Sequence, residues 1–186
     1  GPTGAASAAE LAPRLLALVP RVRAEARGVI WADVRGLPAR PLADALLGVL
    51  QKWGCAAPRA GLAGTPVAAE VASRFGPTAI VEVPAGADRE FLAPHVIAVL
   101  EPEPALARLL EGTGIERCGD LARLDRTGVE VRFGPEGIAL WRLARADDPR
   151  LLFDPTIRPL PDASLEWTDY ALRDPEPLLF AINGLA

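Results

Sequence analysis

The stretch APRAGLAGTPVAAEVASRFGPTAIVEV, residues 57–83, decides the fold class of this chain of 186 residues. Its first seven residues predict a short strand, and residues 79–83 predict a second one. Between them, residues 65–75 predict a helix with Thr65 as its N-cap and Pro66 at its first position. A strand, a helix and a strand in this order indicate an α/β or α+β layer with helices packed on one sheet.

The residues before this stretch extend the same alternation. Residues 8–26 predict a helix, because leucine and valine recur there at helical spacing. The segment GVIWADVRG, residues 28–36, predicts a strand that ends on a single carboxylate, Asp33, shortly before a glycine turn. Residues 42–53 predict an amphipathic helix that begins after Pro41. The first half of the chain is therefore predicted to be one sheet covered by helices.

The character of the sequence changes after residue 94. Residues 103–145 predict several short helices separated by glycine, without a strand pattern. A linker rich in proline and acidic residues follows at 147–162. Residues 164–172 then predict a strand and residues 175–185 a helix. These last two elements are too few to bury their own apolar faces, so they are interpreted as the opening of a further domain.

Composition limits the functions that fit the chain. The net charge of −4 argues against unaided nucleic-acid binding, which normally needs a basic domain or stripe. Cys55 and Cys118 match no zinc or redox spacing, and His95 is the only histidine, so no metal site is predicted. No signal peptide and no apolar run of about 18 residues is found, which predicts a cytoplasmic protein without a membrane partner.

Two motifs in the second half point to a known family. The segment FGPEGIALWRLARADDPR, residues 133–150, places a glycine-bounded helix before an Ala-Arg-x-x-Asp-Pro step. The segment GIERCGDLARL, residues 114–124, contains a Gly-Ile-x-x-x-Gly-Asp-Leu hairpin. With the α/β half before them, these pieces resemble the Y-family translesion DNA polymerases, from the middle of the palm through the thumb to the start of the little finger.

The resemblance covers nearly the whole chain and implies an α+β fold with four parts. It predicts a partial palm-like domain of sheet and helices at residues 1–92 and a small all-helical helix-hairpin-helix thumb-like domain at 93–150. A linker at 151–163 and the truncated start of a little-finger-like domain at 164–186 complete the prediction.

The motif that surrounds Asp33 departs from the family at one position. WADVRG lies where the family's palm carries Ser-Ile-Asp-Glu, so Asp33 matches the aspartate and Val34 replaces the glutamate. Polymerases hold two metal ions with several carboxylates, and one aspartate is not enough. The family's first metal-binding aspartate lies on an earlier strand, and the chain is interpreted as beginning after it. Asp33 is therefore predicted to be a relic, with no catalytic residue, metal or cofactor.

The expected nucleotide site is altered as well. At residues 61–73 the resemblance implies a Gly-Ile-x-x-Asn-Lys-x-x-Ala-Lys-x-Ala pattern whose lysines face the triphosphate. Here Thr65 and Pro66 replace the Asn-Lys pair, and Glu70 stands in place of the second lysine. A carboxylate at that position repels a triphosphate. No nucleotide pocket is expected.

The predicted DNA contacts are partial. EPE at residues 101–103 replaces the Gly-x-Gly of the family's first thumb hairpin, where Pro102 has no amide hydrogen and the glutamates repel phosphate. The second hairpin keeps its glycines, and arginines follow along the thumb. The residues predicted to contact DNA, weakly, are Gly114, Arg117, Gly119, Arg123, Arg132, Arg142 and Arg145.

A polymerase-like chain that lacks the metal-binding carboxylates, the triphosphate-facing lysines and one DNA-binding hairpin resembles the inactive, ImuB-type Y-family homologues of bacterial mutagenesis cassettes. The resemblance implies a non-enzymatic accessory role in SOS mutagenesis and translesion synthesis, with a RecA-like partner, an error-prone DNA polymerase and the sliding clamp. The palm face with Arg59, Glu70 and Arg74 is predicted to bind a partner. Two alternatives stay open, a fragment of an active Y-family polymerase and a weak, non-specific DNA-binding module.

Overall fold

A computed structural model describes residues 8–25 and 28–153 and shows a mixed α+β protein. The strands are β1 (Val22–Ala24), β2 (Ile30–Ala32), β3 (Ala60–Leu62) and β4 (Ile80–Glu82). The helices are α1 (Ala8–Leu15), α2 (Ala39–Lys52), α3 (Pro66–Phe75), α4 (Asp88–Leu92), α5 (Pro104–Glu111), α6 (Cys118–Arg123) and α7 (Arg126–Ala144), with a 3-10 turn at Ile97–Leu100. The strand and helix predicted at 164–172 and 175–185 lie outside the described residues.

The four strands form two small sheets, so the single sheet predicted from the alternation is corrected here. β1 and β2 pair antiparallel, with Val22 opposite Ala32. β3 and β4 pair parallel, with Ala60 opposite Ile80, as expected for two strands joined by the helix α3. Within the described residues no ladder joins β2 to β3.

The helix predicted at residues 8–26 is wrong in its second half. α1 ends at Leu15, and Val22–Ala24 is a strand. Pro20 has no amide hydrogen to continue the helix and biases the residue before it toward extended backbone. The main chain after it pairs with β2 instead. The apolar residues Leu11 and Leu15 are still buried, as their spacing predicted.

The helices on either side of β3 confirm the sequence patterns. α2 begins three residues earlier than predicted, because Pro41 is tolerated in the first helical turn. α3 begins at Pro66 and ends at Phe75, as predicted, and Thr65 occupies the N-cap position with extended backbone. The expected cap itself is absent, since the Thr65 side chain makes no capping hydrogen bond.

The larger hydrophobic core joins α3 to the helices that follow it. Val67 and Val71 of α3 pack in one cluster with Leu92, Leu121 and Val129, all nearly inaccessible to solvent. This core continues across residue 92, where the sequence analysis placed a domain boundary. A smaller cluster joins α2 to β3 and β4.

The second half of the described chain is helical, with glycine at its breaks, as predicted. α7 contains a break at Gly134, whose φ of 67° and ψ of −162° are not helical, and Pro135 follows it. A φ in that region favours glycine, and proline suits the start of the next helical segment. No helix in the described part of the chain is both long and apolar enough to cross a bilayer.

Candidate functional site

A cleft of about 900 Å³ opens between the two sheets. β2 and β3 border it, and the apolar side chains of α2, among them Leu47 and Leu50, form one of its faces. Asp33, the conspicuous acid of the sequence, lines it together with Glu70 and residues 150–153. The structure thus brings the predicted relic and the predicted partner surface to one place.

Asp33 is held by two arginines. It is 7% exposed, and its carboxylate accepts two hydrogen bonds from the Arg35 guanidinium, each at 2.9 Å, and one from Arg21 at 2.5 Å. The backbone amide of Arg35 donates to the same carboxylate at 3.2 Å. Hydrogen bonds from Arg35 first, and from Arg21, hold the pKa of Asp33 well below its usual range. The carboxylate is therefore ionised at neutral pH.

This arrangement gives Asp33 a structural task. Its amide donates to the carbonyl of Arg21 at 3.0 Å while its side chain binds the same residue, so it fastens the start of β1 to the end of β2. Both carboxylate oxygens are occupied by guanidinium groups, the partners with which they form strong paired hydrogen bonds. Within residues 8–25 and 28–153, no group of three His, Cys, Asp or Glu side chains is placed to hold a metal ion.

Glu70 of α3 is the centre of a charged network on the rim of the cleft. One of its oxygens pairs with Arg74, one helical turn later, and the other with Arg150, each at 2.8 Å. Arg74 also reaches Glu101 at 2.6 Å, and Arg150 pairs with Asp148 at 2.8 Å. The network fastens the segment after α7 to α3. Both oxygens of Glu70 therefore have a cationic partner.

Arg59, the third residue predicted to bind a partner, also has partners within the chain. Its guanidinium donates to the carbonyl oxygens of Ser73 at 2.7 Å and Thr78 at 2.8 Å, and to that of Gly76. These carbonyls end α3 and begin the approach to β4, so Arg59 closes the carboxyl end of that helix. The prediction that Arg59, Glu70 and Arg74 bind a partner stays a prediction.

Sequence reasoning missed Trp31 as a site residue. It is 8% exposed, and Arg150 lies over its ring with 5.5 Å between the guanidinium carbon and the ring centroid. The indole Nε1 and the hydroxyl of Thr65 are buried polar atoms without a hydrogen-bond partner among the described residues. Both residues line the cleft. A tryptophan two positions before the strand's acid, in a chain poor in aromatics, was the available signal.

The segment that contains the residues predicted to contact DNA, from Gly114 to Gly119, packs against the residues that follow α4. The amides of Cys118 and Gly119 donate to carbonyl oxygens in residues 93–95, each at 2.9 Å. The Arg117 guanidinium donates to another carbonyl of that segment at 2.5 Å. Gly114 has a φ of 72°, which suits the turn of the hairpin. Gly119 and Arg117 are thus occupied within the chain.

Of the remaining residues predicted to contact DNA, some already bind other groups within the chain. Arg123 and Arg142 each form an ion pair with an aspartate of their own segment. Arg145 donates to the carbonyl of Ala122 at 3.0 Å. Arg132 is exposed and has no carboxylate partner among the described residues.

The histidine and the cysteines have ordinary structural surroundings. Nδ1 of His95 lies 2.9 Å from the carbonyl oxygen of Phe91, and the two rings are in contact. Cys118 is buried in the larger core, and this burial raises the pKa of its thiol to about 11. Cys55 is free and partly exposed. The thiol of Cys118 is therefore protonated and a poor nucleophile at neutral pH.

A scan against protein-family models finds no match for the chain, and a search of curated proteins finds none either. The functional assignment therefore depends on the quoted motifs and on the geometry of the cleft.

Proposed function

We propose that the chain is a non-catalytic, Y-family-like pseudo-polymerase that acts as an accessory scaffold in damage-induced translesion synthesis. One observation carries the proposal. Asp33 occupies the position of the aspartate in the family's Ser-Ile-Asp-Glu motif, and its carboxylate forms ion pairs with Arg21 and Arg35. A metal ion would have to displace both guanidiniums from that carboxylate, whereas a catalytic ligand needs its oxygens turned to the metal.

The network around Glu70 supports the same proposal. This is where the resemblance expects lysines that face a triphosphate, and a carboxylate paired with Arg74 and Arg150 occupies it. A nucleotide bound there would have to compete with two ion pairs and would meet the charge of the carboxylate. If no nucleotide binds there, the surface around Glu70 is available for protein contacts. A RecA-like protein, an error-prone polymerase and the clamp are the partners proposed for it.

We expect the purified chain to add no nucleotide to a primed template with Mg²⁺ or Mn²⁺, and to co-elute with at least one of those three partners. Primer extension and size-exclusion chromatography measure the two results. Val34→Glu with Glu70→Lys is expected to remain inactive, because it supplies no further aspartate at the first strand. Primer extension that is lost in Asp33→Ala would show that the chain is an active polymerase fragment. If the chain elutes separately from each of the three partners, the scaffold function is contradicted.

The second candidate, a weak DNA-binding module, is favoured by Arg126 and Arg132. Both are exposed and have no carboxylate partner among the described residues. We expect binding to primed DNA in the non-specific range of about 10⁻⁴–10⁻⁶ M, falling steeply with salt. The double substitution of both residues by alanine weakens it, whereas Arg123→Ala, in a residue paired with Asp120, has a smaller effect. Fluorescence anisotropy measures both, and a sub-micromolar constant would favour the module over the scaffold.

A further inference from the structure

The residues that follow α7 lie at the rim of the cleft. Residues 148–153, here called the strap, form no helix or strand. Among the described residues, no hydrogen bond between two main-chain groups involves the strap. Asp148 shapes it instead, because its side chain is inaccessible to solvent and accepts from the amide of Arg150 at 3.0 Å and from its guanidinium at 2.8 Å. The contacts that fasten the strap to the two sheets are therefore made by side chains.

Arg150 makes the central attachment of the strap. Its guanidinium pairs with Glu70 of α3 at 2.8 Å and lies over the ring of Trp31 in β2, with 5.5 Å between the guanidinium carbon and the ring centroid. The helix α3 packs closely on β3 at Gly61. One side chain of the strap therefore connects α3 and β3 to the sheet of β1 and β2.

Two arginines in and beside β1 hold the rest of the strap. The guanidinium of Arg21 lies over the ring of Phe153, 5.4 Å from its centroid. The guanidinium of Arg23 lies 3.4 and 3.5 Å from the carbonyl oxygens of Leu151 and Leu152. These two distances are long for hydrogen bonds, so the contacts of Arg23 are weak.

All these attachments are arginine contacts at the surface of the protein. The side chains of Arg21, Arg23 and Arg150 are 40%, 51% and 39% exposed. Contacts between charged groups at such exposure are weak and are screened by salt. The helix α7, in contrast, buries Leu140 and Ala144 in the larger core. The strap is therefore expected to detach at a much lower free energy than α7 unfolds.

Detachment of the strap changes the surroundings of two residues. Without Arg150, Glu70 loses one of its two cationic partners and keeps Arg74. The ring of Trp31 loses the guanidinium that lies over it. Because Glu70 belongs to the surface predicted to bind a partner, the attached strap occupies part of that surface.

We propose that the strap is a salt-sensitive latch, closed by Arg150, that covers Glu70 and Trp31 and opens while the helices and strands stay folded. The inference deepens the proposed scaffold function and rests on it only for the existence of a partner. A protein that binds around Glu70 competes with the closed strap, so the fraction of chains in which the strap is open limits its apparent affinity.

Cleavage by trypsin after Arg150 measures the opening of the strap. Trypsin must bind the arginine side chain in an accessible segment, so it cuts here when the guanidinium has left Glu70. The reference is a capped peptide of residues 146–153, which contains the same bond without the attachments. At low salt we expect the full chain to be cut at least about tenfold more slowly than the peptide. Mass spectrometry of the fragments identifies the bond.

Two changes are expected to open the latch. Glu70→Gln removes the ion pair and should speed cleavage after Arg150 about threefold or more. Raising NaCl from about 0.05 to about 0.5 M screens the arginine contacts and should speed cleavage of the parent chain relative to the peptide in the same buffer. Since the salt comparison uses the parent chain, it tests the latch even if Glu70→Gln does not fold.

Two controls separate the latch from general loss of stability. Asp44→Asn removes a carboxylate from an exposed ion pair with Arg40 in α2, and it should leave cleavage after Arg150 unchanged. Cleavage after Arg142, inside α7, reports unfolding of the helix that precedes the strap. It should stay slower than cleavage after Arg150 and should not rise with it.

Three results would overturn the latch. The first is equal cleavage of the chain and the peptide at low salt. The second is a rate after Arg150 that neither salt nor Glu70→Gln raises. The third is an equal rise after Arg142, which would mean that the strap opens only when α7 unfolds.

Arg150→Ala distinguishes failure of the latch from failure of the scaffold function. Whichever of the RecA-like protein, the polymerase and the clamp binds the parent chain should bind this variant about threefold or more tightly, as measured by titration calorimetry. Equal affinity would contradict the competition and leave the scaffold function standing. If none of the three binds either chain, the scaffold function is contradicted, and the trypsin results still decide the latch.

Discussion

Gly61→Ala is expected to destabilise the chain by about 3 kcal/mol or more, near the upper end for one substitution. A β-carbon at Gly61 would lie 2.0 Å from the carbonyl oxygen of Ala69 and 2.7 Å from the amide nitrogen of Ser73. Both are backbone atoms of α3, which cannot rotate aside as a flexible side chain does. The helix would have to lift off β3 and withdraw Val67 and Val71 from the larger core.

The matched control is Gly48→Ala in α2. A β-carbon at Gly48 meets nothing within 4 Å, so this variant is expected to gain about 1 kcal/mol from helix propensity. Urea unfolding of the full chain at neutral pH measures both free energies. If the free energy of unfolding of Gly61→Ala lies within about 1 kcal/mol of that of the parent chain, the close packing of α3 on β3 is wrong.

The elements around Gly61 were predictable because their signals are local. Pro66 can begin a helix but not continue one, and Gly76 followed by Pro77 ends it. The strands on both sides are short apolar runs between turn residues. Such signals depend on neighbours within a few positions, and the structure confirms the strand, helix and strand in that order.

The errors in the predicted fold arise where contacts between residues distant in the sequence decide the local structure. The three residues Val22–Ala24 have no strand pattern of their own and are held by pairing with β2. Leucines at helical spacing continue up to Pro20, so the pattern extended the predicted helix too far. The division into two sheets has the same origin, because which edges of β2 and β3 acquire partners is a tertiary property.

The candidate site shows the same division between local and distant information. Arg35 lies two residues after Asp33, so their pairing is a local contact that the sequence analysis missed, whereas Arg21 lies in a segment predicted to be helical. The contact between Trp31 and Arg150 joins residues that are far apart in the sequence. The sequence therefore predicted an isolated acid, and the structure shows an acid with two partners.

Asp33→Asn, the second large effect, is expected to lower the free energy of unfolding by about 2 kcal/mol at pH 7. Asparagine preserves the size of the side chain but leaves Arg21 and Arg35 without their shared carboxylate. Breaking a fully buried pair costs about 3–5 kcal/mol. The expected loss is smaller, because Arg21 is 40% and Arg35 74% exposed, and solvent screens them.

The pH dependence of this difference identifies the carboxylate as its source. The pKa of Asp33 is lowered in the folded chain, so its contribution is fully present above the ordinary aspartate pKa of about 3.9. The contribution is lost as the pH falls below that value toward the folded pKa. Urea unfolding should therefore show the same difference in free energy of unfolding between the parent chain and Asp33→Asn at pH 7 and pH 5, and a smaller difference at pH 3.

Asp44→Asn is the matched control for this experiment. Asp44 is 63% exposed and pairs with Arg40 across one helical turn at 3.7 Å, so its loss is expected to cost less than about 0.5 kcal/mol. A difference between the two variants at pH 7 that closes in acid supports a structural Asp33. Equal effects would indicate that the ion pairs of Asp33 contribute little to stability, and a gain in stability from Asp33→Asn would indicate that the fold bears a cost to retain this carboxylate. Such a cost is typical of a working site, and it would favour the alternative that the chain is a fragment of an active polymerase.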